Sequence, residues 1–308
     1  MRRLKSKAAP ISALLLLCLL WASSSLRSEL LPGSASPTSP LRSQAMLLAV
    51  FAIVASAATL VRKAQWPSGR TLGLSVLAGI GLFVVPAVLI AVAKESIDDS
   101  TRLALFSLVP IFAVVLNPHL GSASSVRQRG SLAAGLVAVT GTLLVFPLEL
   151  PQTVAAAFAF AGILAATASV AAANCVAVRI ASEPPPPSMS SFAAIVTGSG
   201  ALVVGALSAL IERNSPSATL FDPWLALDLL ALALLFWLMR GMTAIRMTTR
   251  FLIAPLLANL IGLAFLRPGV QVRGWLGLAL IAVGSGWLLL APEDELERTG
   301  SSLSIHQP

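Results

Sequence analysis

Charged residues are scarce in this chain, and their scarcity excludes a water-soluble protein. Only 11% of the 308 residues are Asp, Glu, Lys or Arg, whereas 56% are hydrophobic. An ordinary soluble domain carries about 25% charged residues. We therefore expect the lipid bilayer to be the solvent around most of the chain.

Cysteine and histidine are also rare, with two of each in the chain. Cys18 and Cys175 fall within apolar runs, where a buried thiol is the ordinary interpretation and a disulfide framework is not. His119 and His306 are isolated from any partner. The sequence contains no metal-spaced Cys/His set, no phosphate-binding loop and no nucleophile elbow. It thus predicts no enzyme, no cofactor, no metal site and no ATP-binding part.

What the chain does contain is a series of apolar runs, each close to the length that a helix needs to cross a hydrocarbon core of roughly 30 Å. We predict an all-α integral membrane protein with ten transmembrane helices. Their expected limits are 9–26, 43–61, 72–93, 103–117, 131–146, 154–178, 189–211, 224–239, 251–266 and 274–291.

Part of the sequence occurs twice. An apolar segment at Pro110, a basic loop and a glycine-dotted apolar run return at Pro255, about 145 residues later, with nearly the same spacing. Five spans per copy is an odd number, so the second copy must enter the membrane from the opposite side. The sequence therefore predicts two inverted-topology five-helix repeats, at 9–148 and 153–291, and a disordered cytoplasmic tail at 292–308.

The basic residues predict the orientation. With the N-terminus inside, the cytoplasmic segments hold about twice as many Lys and Arg residues as the outer ones, so both termini are expected in the cytoplasm. The net charge of +8 is spread between spans, and we expect no nucleic-acid partner. Residues 1–25 also fit a secretory signal peptide. Removing them would break the repeat, so we interpret them as part of the first span.

Several segments together resemble the EamA-type transporters of the drug/metabolite transporter superfamily. They are Trp21-Ala22-Ser23-Ser24-Ser25, the two proline segments that begin at Pro110 and Pro255, and the run from Gly277 to Gly284. The resemblance covers roughly positions 9 to 291. It implies a ten-helix, multi-pass permease of the inner membrane that moves a small-molecule metabolite, often outward, through a central cavity lined by both halves. A homodimer is an open alternative for the oligomeric state.

The sequence departs from this family at the ends of the two proline segments. Members commonly carry a glutamate there, whereas this chain has Asn117-Pro118-His119 and Arg267-Pro268-Gly269, and it contains no tyrosine. Two functions therefore stay open. One is a secondary transporter, an exporter by this resemblance, that works by alternating access. The other is a non-transporting membrane scaffold or flippase-like accessory subunit that has lost the substrate site.

Polar side chains within or beside the spans are the candidates for a substrate pathway, because such groups are costly in lipid unless they face a cavity or a partner. Asn174 and Asn259 lie deep in apolar runs, where the alternative is an interhelical hydrogen bond. Lys94 and Arg240 occupy matching positions before the two prolines, where they could also be ordinary partners of the helix dipole. The full set of expected pathway residues is Trp21, Arg27, Glu29, Arg42, Lys94, Asn174, Arg240 and Asn259.

Prolines and glycines within the spans predict kinks and close helix contacts. Pro86, Pro110 and Pro255 each remove a backbone hydrogen bond, so we expect a kink at each. Small residues let helices approach closely in lipid. The candidates for such contacts are Gly79, Gly81, Gly198, Ser199, Gly200, Gly284 and Gly286.

Overall fold

The structure is a computed structural model that describes residues 2–30, 40–120, 125–212, 224–266 and 271–290. Within these ranges the regular elements are helices, and no strand occurs. The first half contains α1 (Arg2–Leu30), α2 (Pro40–Val61), α3 (Gly69–Gly79), α4 (Val85–Ala93), α5 (Asp99–Phe106), α6 (Val109–Leu120) and α7 (Ser125–Val145). The second half contains α8 (Val154–Ser182), α9 (Met189–Ile211), α10 (Leu225–Gly241), α11 (Ala244–Thr248), α12 (Arg250–Leu266) and α13 (Val272–Leu290).

Seven helical segments in the described ranges are long and apolar enough to cross a membrane, because each has at least 18 residues and about 20 residues span the hydrocarbon core. They indicate a multi-pass membrane protein. Two further apolar helices, Ala9–Ser24 and Gly130–Val145, are shorter. The seven are Pro40–Val61, Gly69–Ala93, Asp99–Leu120, Val154–Ser182, Met189–Ile211, Ala244–Phe265 and Val272–Leu290.

Helices extend beyond several of the expected limits. Helix α7 begins at Ser125 instead of residue 131, the segment expected at 103–117 is Asp99–Leu120, and the segment expected at 251–266 begins at Ala244. Helix α1 begins at Arg2, although its apolar part begins at Ala9 as expected. A span of 251–266 would be only about 24 Å long at 1.5 Å per residue, too short for the hydrocarbon core. The added turns of α11 supply the missing length. The tail at 292–308 lies outside the described residues.

The three prolines sit in different local structures. A π-helical segment, Ile80–Val84, precedes Pro86, and such wide turns are a common cause of helix bending. Pro110 lies in the first turn of α6, after a break in the helix at Ser107. Backbone N–H groups in a first turn have no acceptor within the helix, so the missing N–H of Pro110 costs no hydrogen bond. Pro255 lies inside α12, where the expected loss of one backbone hydrogen bond applies.

Small residues bring α7 and α13 into close antiparallel contact. A Cβ atom on Gly284 would lie 2.6 Å from the carbonyl oxygen of Ala134, and one on Gly277 would lie 2.7 Å from that of Gly141. Residues early in α7 thus meet residues late in α13, which is the antiparallel order. Gly286 differs from the expectation, because a Cβ there would meet nothing within 4 Å.

Helices α2 and α9 form the second long antiparallel pair. A Cβ atom on Gly200 would lie 3.3 Å from the Leu48 side chain, and one on Gly205 would lie 3.8 Å from the Ala45 side chain. Glu212 closes the same pair at one end. Its carboxylate accepts hydrogen bonds from the backbone N–H groups of Leu41 and Arg42 at 3.2 and 3.0 Å, and so satisfies donors at the start of α2 that have no intrahelical acceptor.

Asp98 begins α5 as its N-cap residue, and its carboxylate accepts a hydrogen bond from the backbone N–H of Thr101 at 3.1 Å. The pKa of Asp98 lies below its usual value. Partial burial alone would raise this pKa, but hydrogen bonds from Ser100 and Thr101 favour the charged form and together outweigh the effect of burial.

Buried hydroxyl groups in the apolar helices are satisfied within their own helix. Thr142, Thr197 and Ser285 donate to the carbonyl oxygen four residues earlier at 3.1, 2.7 and 2.6 Å. These bonds remove the cost of an unpaired hydroxyl in lipid and leave the hydroxyls little capacity to bind other groups. The polar groups that reach across between helices are therefore more informative about a site.

Candidate functional site

A cavity of about 900 Å³ lies between helices of the two halves of the chain. Helix α12 forms one wall, with lining residues from Arg250 to Leu263, a length of about 20 Å at 1.5 Å per residue. Helices α1, α4, α5 and α7 contribute from the first half, and α13 joins α12 from the second. The volume is that of a typical small-molecule site. The residues on which the site depends are Trp21, Ser24, Asp99, Arg102, Phe106, Phe251, Asn259 and Arg250.

Arg250 is the most heavily buried ionisable group on this wall, with 2% of its surface exposed. Its Nη1 donates to the carbonyl oxygen of Met247 at 2.8 Å, and its Nη2 donates to Oδ1 of Asn174 at 2.9 Å. Asn174 is itself fully buried, and its amide nitrogen donates to the Val170 carbonyl at 2.7 Å. Acceptors on two other helices, α8 and α11, thus fix the position of the guanidinium.

Aromatic rings hold the guanidinium from two sides. Its central carbon lies 4.7 Å from the ring centroid of Phe251 and 5.4 Å from that of Trp21. Contacts of this kind stabilise a cation by about 0.5–2 kcal/mol. Phe106 extends the aromatic cluster, because it stacks on Phe251 with the centroids 6.3 Å apart.

The positive charge of Arg250 has no carboxylate partner among the side chains that the structure describes. Its Nε is buried, and no acceptor there takes the Nε hydrogen. An arginine within a transmembrane helix is costly, by about 3 kcal/mol or more at the helix centre and less toward the ends. The two hydrogen bonds and the two rings offset part of that cost, and an uncompensated charge remains beside the cavity.

Other polar groups on the cavity wall are few. Asp99 and Arg102, one turn apart at the start of α5, form an ion pair in which the Asp99 side chain is 83% exposed and that of Arg102 is 16% exposed. The Asn259 amide nitrogen donates to the Pro255 carbonyl at 2.9 Å, and its amide oxygen accepts no hydrogen bond from the described residues. Ser24 completes the polar set.

Of the two asparagines singled out from the sequence, only Asn259 lines the cavity. Asn174 lies behind the wall and makes the interhelical hydrogen bond that was its alternative interpretation, with Arg250 as the partner. Trp21 lines the cavity as well and contacts Arg250 through its ring.

Three of the remaining expected pathway residues, Arg42, Lys94 and Arg240, lie away from the cavity wall. Arg42 donates through Nη2 to the carbonyl oxygen of Glu212 at 2.9 Å, at the junction of α2 and α9. Lys94 is exposed at the end of α4. Arg240 is exposed and bonds to the Pro187 carbonyl oxygen. The helix α1 contains Arg27 and Glu29, whose side chains lie outside the described residues.

Sequence reasoning missed Arg250, because it placed this residue in a cytoplasmic loop just before a span at 251–266. Length was the signal that could have found it. A span with those limits is too short to cross the bilayer, and extending it backward to a full length places Arg250 inside the helix. An ionisable residue within a span is a candidate functional residue by default.

Among the described residues, no group of three or more His, Cys, Asp and Glu side chains could hold a metal ion. The two buried cysteines are free thiols. They lie on α1 and α8, and neither lines the cavity. The arrangement around Arg250 is therefore suited to binding through charge, hydrogen bonds and aromatic contact.

No family model and no curated protein sequence matches the chain. One solved structure, described only as "Crystal structure of protein", is similar in fold, with a TM-score of 0.71. The similarity covers 92% of this chain and 99% of that chain at 16% sequence identity. A likeness at this identity shows the shared fold of the helices alone.

Proposed function

We propose that this protein is a secondary transporter, an exporter of a small organic metabolite, that works by alternating access between two inverted five-helix repeats. The observation that carries the proposal is the cavity of about 900 Å³, which is lined by helices of both halves and has a buried cation on its wall. A site between two repeats is where such carriers bind their substrates. The proposal places ten spans in the inner membrane, with both termini in the cytoplasm.

An aromatic contact supports the inverted repeat. Phe106 and Phe251 are equivalent residues, because each lies four positions before its repeat's proline, Pro110 or Pro255. They stack on each other with an interplanar angle of 20°. Two equivalent residues that touch must lie near the axis that relates the two copies, as at an interface with two-fold symmetry. Both rings line the cavity, so the proposal expects the cavity to lie beside that axis.

Helix packing supports the same arrangement. The second and seventh spans are α2 and α9, and the fifth and tenth are α7 and α13, so both close pairs join equivalent helices. Both pairs are antiparallel, as opposite insertion of the two repeats requires. Another pair of contacts is related in the same way. Helix α6 of the fourth span packs on α8 of the sixth, and the equivalent helices, α12 of the ninth span and α1 of the first, pack on each other.

The alternative is a scaffold or accessory subunit that kept the bundle and does not transport. The absence of the glutamates at the ends of the two proline segments favours it. The cavity opposes it, because a purely structural bundle has no need to leave a space of this size between its halves.

Uptake into proteoliposomes tests the proposal. The purified protein is exposed to a pool of labelled organic acids, amino acids, amines and nucleosides, and the contents of the vesicles are measured by mass spectrometry. Ala258→Trp places a large ring in the cavity, whereas Leu260→Trp is the matched control on the same helix, since Leu260 is 41% exposed on the outside of the bundle.

We expect at least one compound to accumulate with the native protein and with Leu260→Trp, and to be lost with Ala258→Trp. Equal contents in vesicles with and without the native protein would support the non-transporting alternative. A separate measurement of topology, with small tags at the two ends, should find both tags on the cytoplasmic side. Tags on opposite faces would rule out the ten-span arrangement.

A further inference from the structure

The charges on the cavity wall do not balance. Among the side chains that the structure describes, the wall carries two cations and one acid, and the acid, Asp99, is already paired with Arg102. Arg250 therefore supplies a net positive charge. Resting on the proposed function, we infer that the cavity selects a small organic anion with an apolar body, and that Arg250 is the residue that provides this selectivity.

The surroundings of Arg250 explain why an anion is preferred. A charge removed from water interacts strongly with other charges nearby, because the effective dielectric constant around it is low. With no carboxylate beside it among the side chains that the structure describes, the guanidinium disfavours a second cation in the cavity and favours a negative group. The buried Nε–H group of Arg250 has no acceptor among the described residues. It can donate a hydrogen bond to the carboxylate or phosphate oxygen of a bound ligand if the Trp21 ring, which lies over the guanidinium, moves aside.

The rest of the wall fits an apolar body on the same ligand. Trp21, Phe106, Phe146 and Phe251 all line the cavity. Flat rings of this kind bind the apolar or planar portion of a small molecule, and a few polar groups fix its orientation. A ligand with one anionic end and one apolar end would satisfy both parts of the wall.

Comparison of the two repeats argues that Arg250 is not simply required for packing. Arg250 lies five positions before Pro255, and the residue five positions before Pro110 is Leu105. Leu105 is buried, with 3% of its surface exposed, within an apolar cluster. The same place in the repeat is thus occupied by an ordinary core residue in one copy, whereas only the copy that faces the cavity carries the charge.

Cysteine labelling measures the sign of the charge in the cavity. Ala258→Cys places a thiol on the cavity wall two turns beyond Arg250, about 12 Å away along the helix. The purified protein in micelles reacts with an anionic methanethiosulfonate (sulfonatoethyl) or a cationic one (trimethylammonium ethyl), and each rate is divided by the rate with a free thiol in solution. The native chain is the control for background, since Cys18 and Cys175 are buried.

An unpaired cation about 12 Å away should raise the corrected rate of the anionic reagent and lower that of the cationic one by about tenfold each at an effective dielectric constant near 20. The ratio of the two rates should therefore be about 100. Arg250→Gln should bring it close to 1, Arg250→Lys should preserve most of it, and Arg240→Gln should leave it unchanged, because Arg240 is exposed away from the cavity.

Each result separates the two proposals. A ratio of anionic to cationic labelling rates near 1 in the Ala258→Cys protein, with Arg250 unchanged, would overturn the anion inference. The proposal of transport would still stand. A high ratio that survives Arg250→Gln would overturn the role of this residue. If the thiol introduced by Ala258→Cys reacted neither with these reagents nor with a neutral one, the cavity would be closed to solutes, and the proposed function itself would be overturned.

Discussion

The contact between α7 and α13 predicts that a glycine-to-alanine substitution lowers stability at Gly284 and does not lower it at Gly286, although both glycines lie on α13. In Gly284→Ala, the new methyl group would lie 2.6 Å from the carbonyl oxygen of Ala134 and from the backbone nitrogen of Ala138. Backbone atoms cannot move aside without separating the two helices. In Gly286→Ala, the methyl group would meet nothing within 4 Å.

Both substitutions gain the same intrinsic helix propensity, about 1 kcal/mol, so their difference isolates the steric conflict. Overpacking of this kind costs about 1–3 kcal/mol. We expect Gly284→Ala to be less stable than Gly286→Ala by that amount, and Gly286→Ala to be at least as stable as the native protein. Unfolding in mixed micelles with increasing sodium dodecyl sulfate, followed by far-UV circular dichroism, measures both. Equal midpoints for the two variants would refute the close approach of these helices.

Three further predictions concern polar groups. Asn174→Leu removes the acceptor for Arg250 Nη2 and should destabilise the protein by about 1.5–3 kcal/mol in the same unfolding assay; a loss below about 0.5 kcal/mol would argue against this bond. Glu212→Ala should cost about 1–2 kcal/mol and speed amide hydrogen exchange at Leu41 and Arg42, whereas unchanged exchange would contradict the cap. The pKa of Asp98 is lowered in the folded protein, so its charge stabilises the fold above the unfolded pKa of about 3.9, and this contribution is lost as pH falls through the folded value. Asp98→Asn keeps the N-cap and should flatten the acid limb of the stability curve, and an unchanged limb would count against the assignment.

The pattern of apolar residues was a good guide to where helices form. Helices lie at each of the ten segments expected from the sequence, because uninterrupted apolar runs of this length leave the backbone no other way to satisfy its hydrogen bonds in lipid. The ends were less accurate. The start expected at residue 251 was late by several residues, because the polar residues Thr248, Thr249 and Arg250 belong to a helical segment and do not mark a loop.

Single residues were harder to place than helices. Asn174 and Asn259 looked equivalent in sequence, since both lie deep in apolar runs, yet one lies behind the cavity wall and the other on it. Which direction an asparagine faces depends on how its helix is rotated against its neighbours. That rotation is set by small residues such as Gly277 and Gly284, whose partners are on another helix.

The sequence by itself determined that this chain forms helices, that several of them are long and apolar enough to cross a membrane, and that the residues near Pro110 and Pro255 share one pattern of spacing, because hydropathy and spacing are properties of consecutive residues. Only the tertiary structure decided that Arg250 is enclosed by Trp21, Phe251 and Asn174 beside a cavity. These groups come from three helices far apart in the chain, and their meeting depends on the packing of the helices. Hydropathy averages over a window and retains no record of that packing.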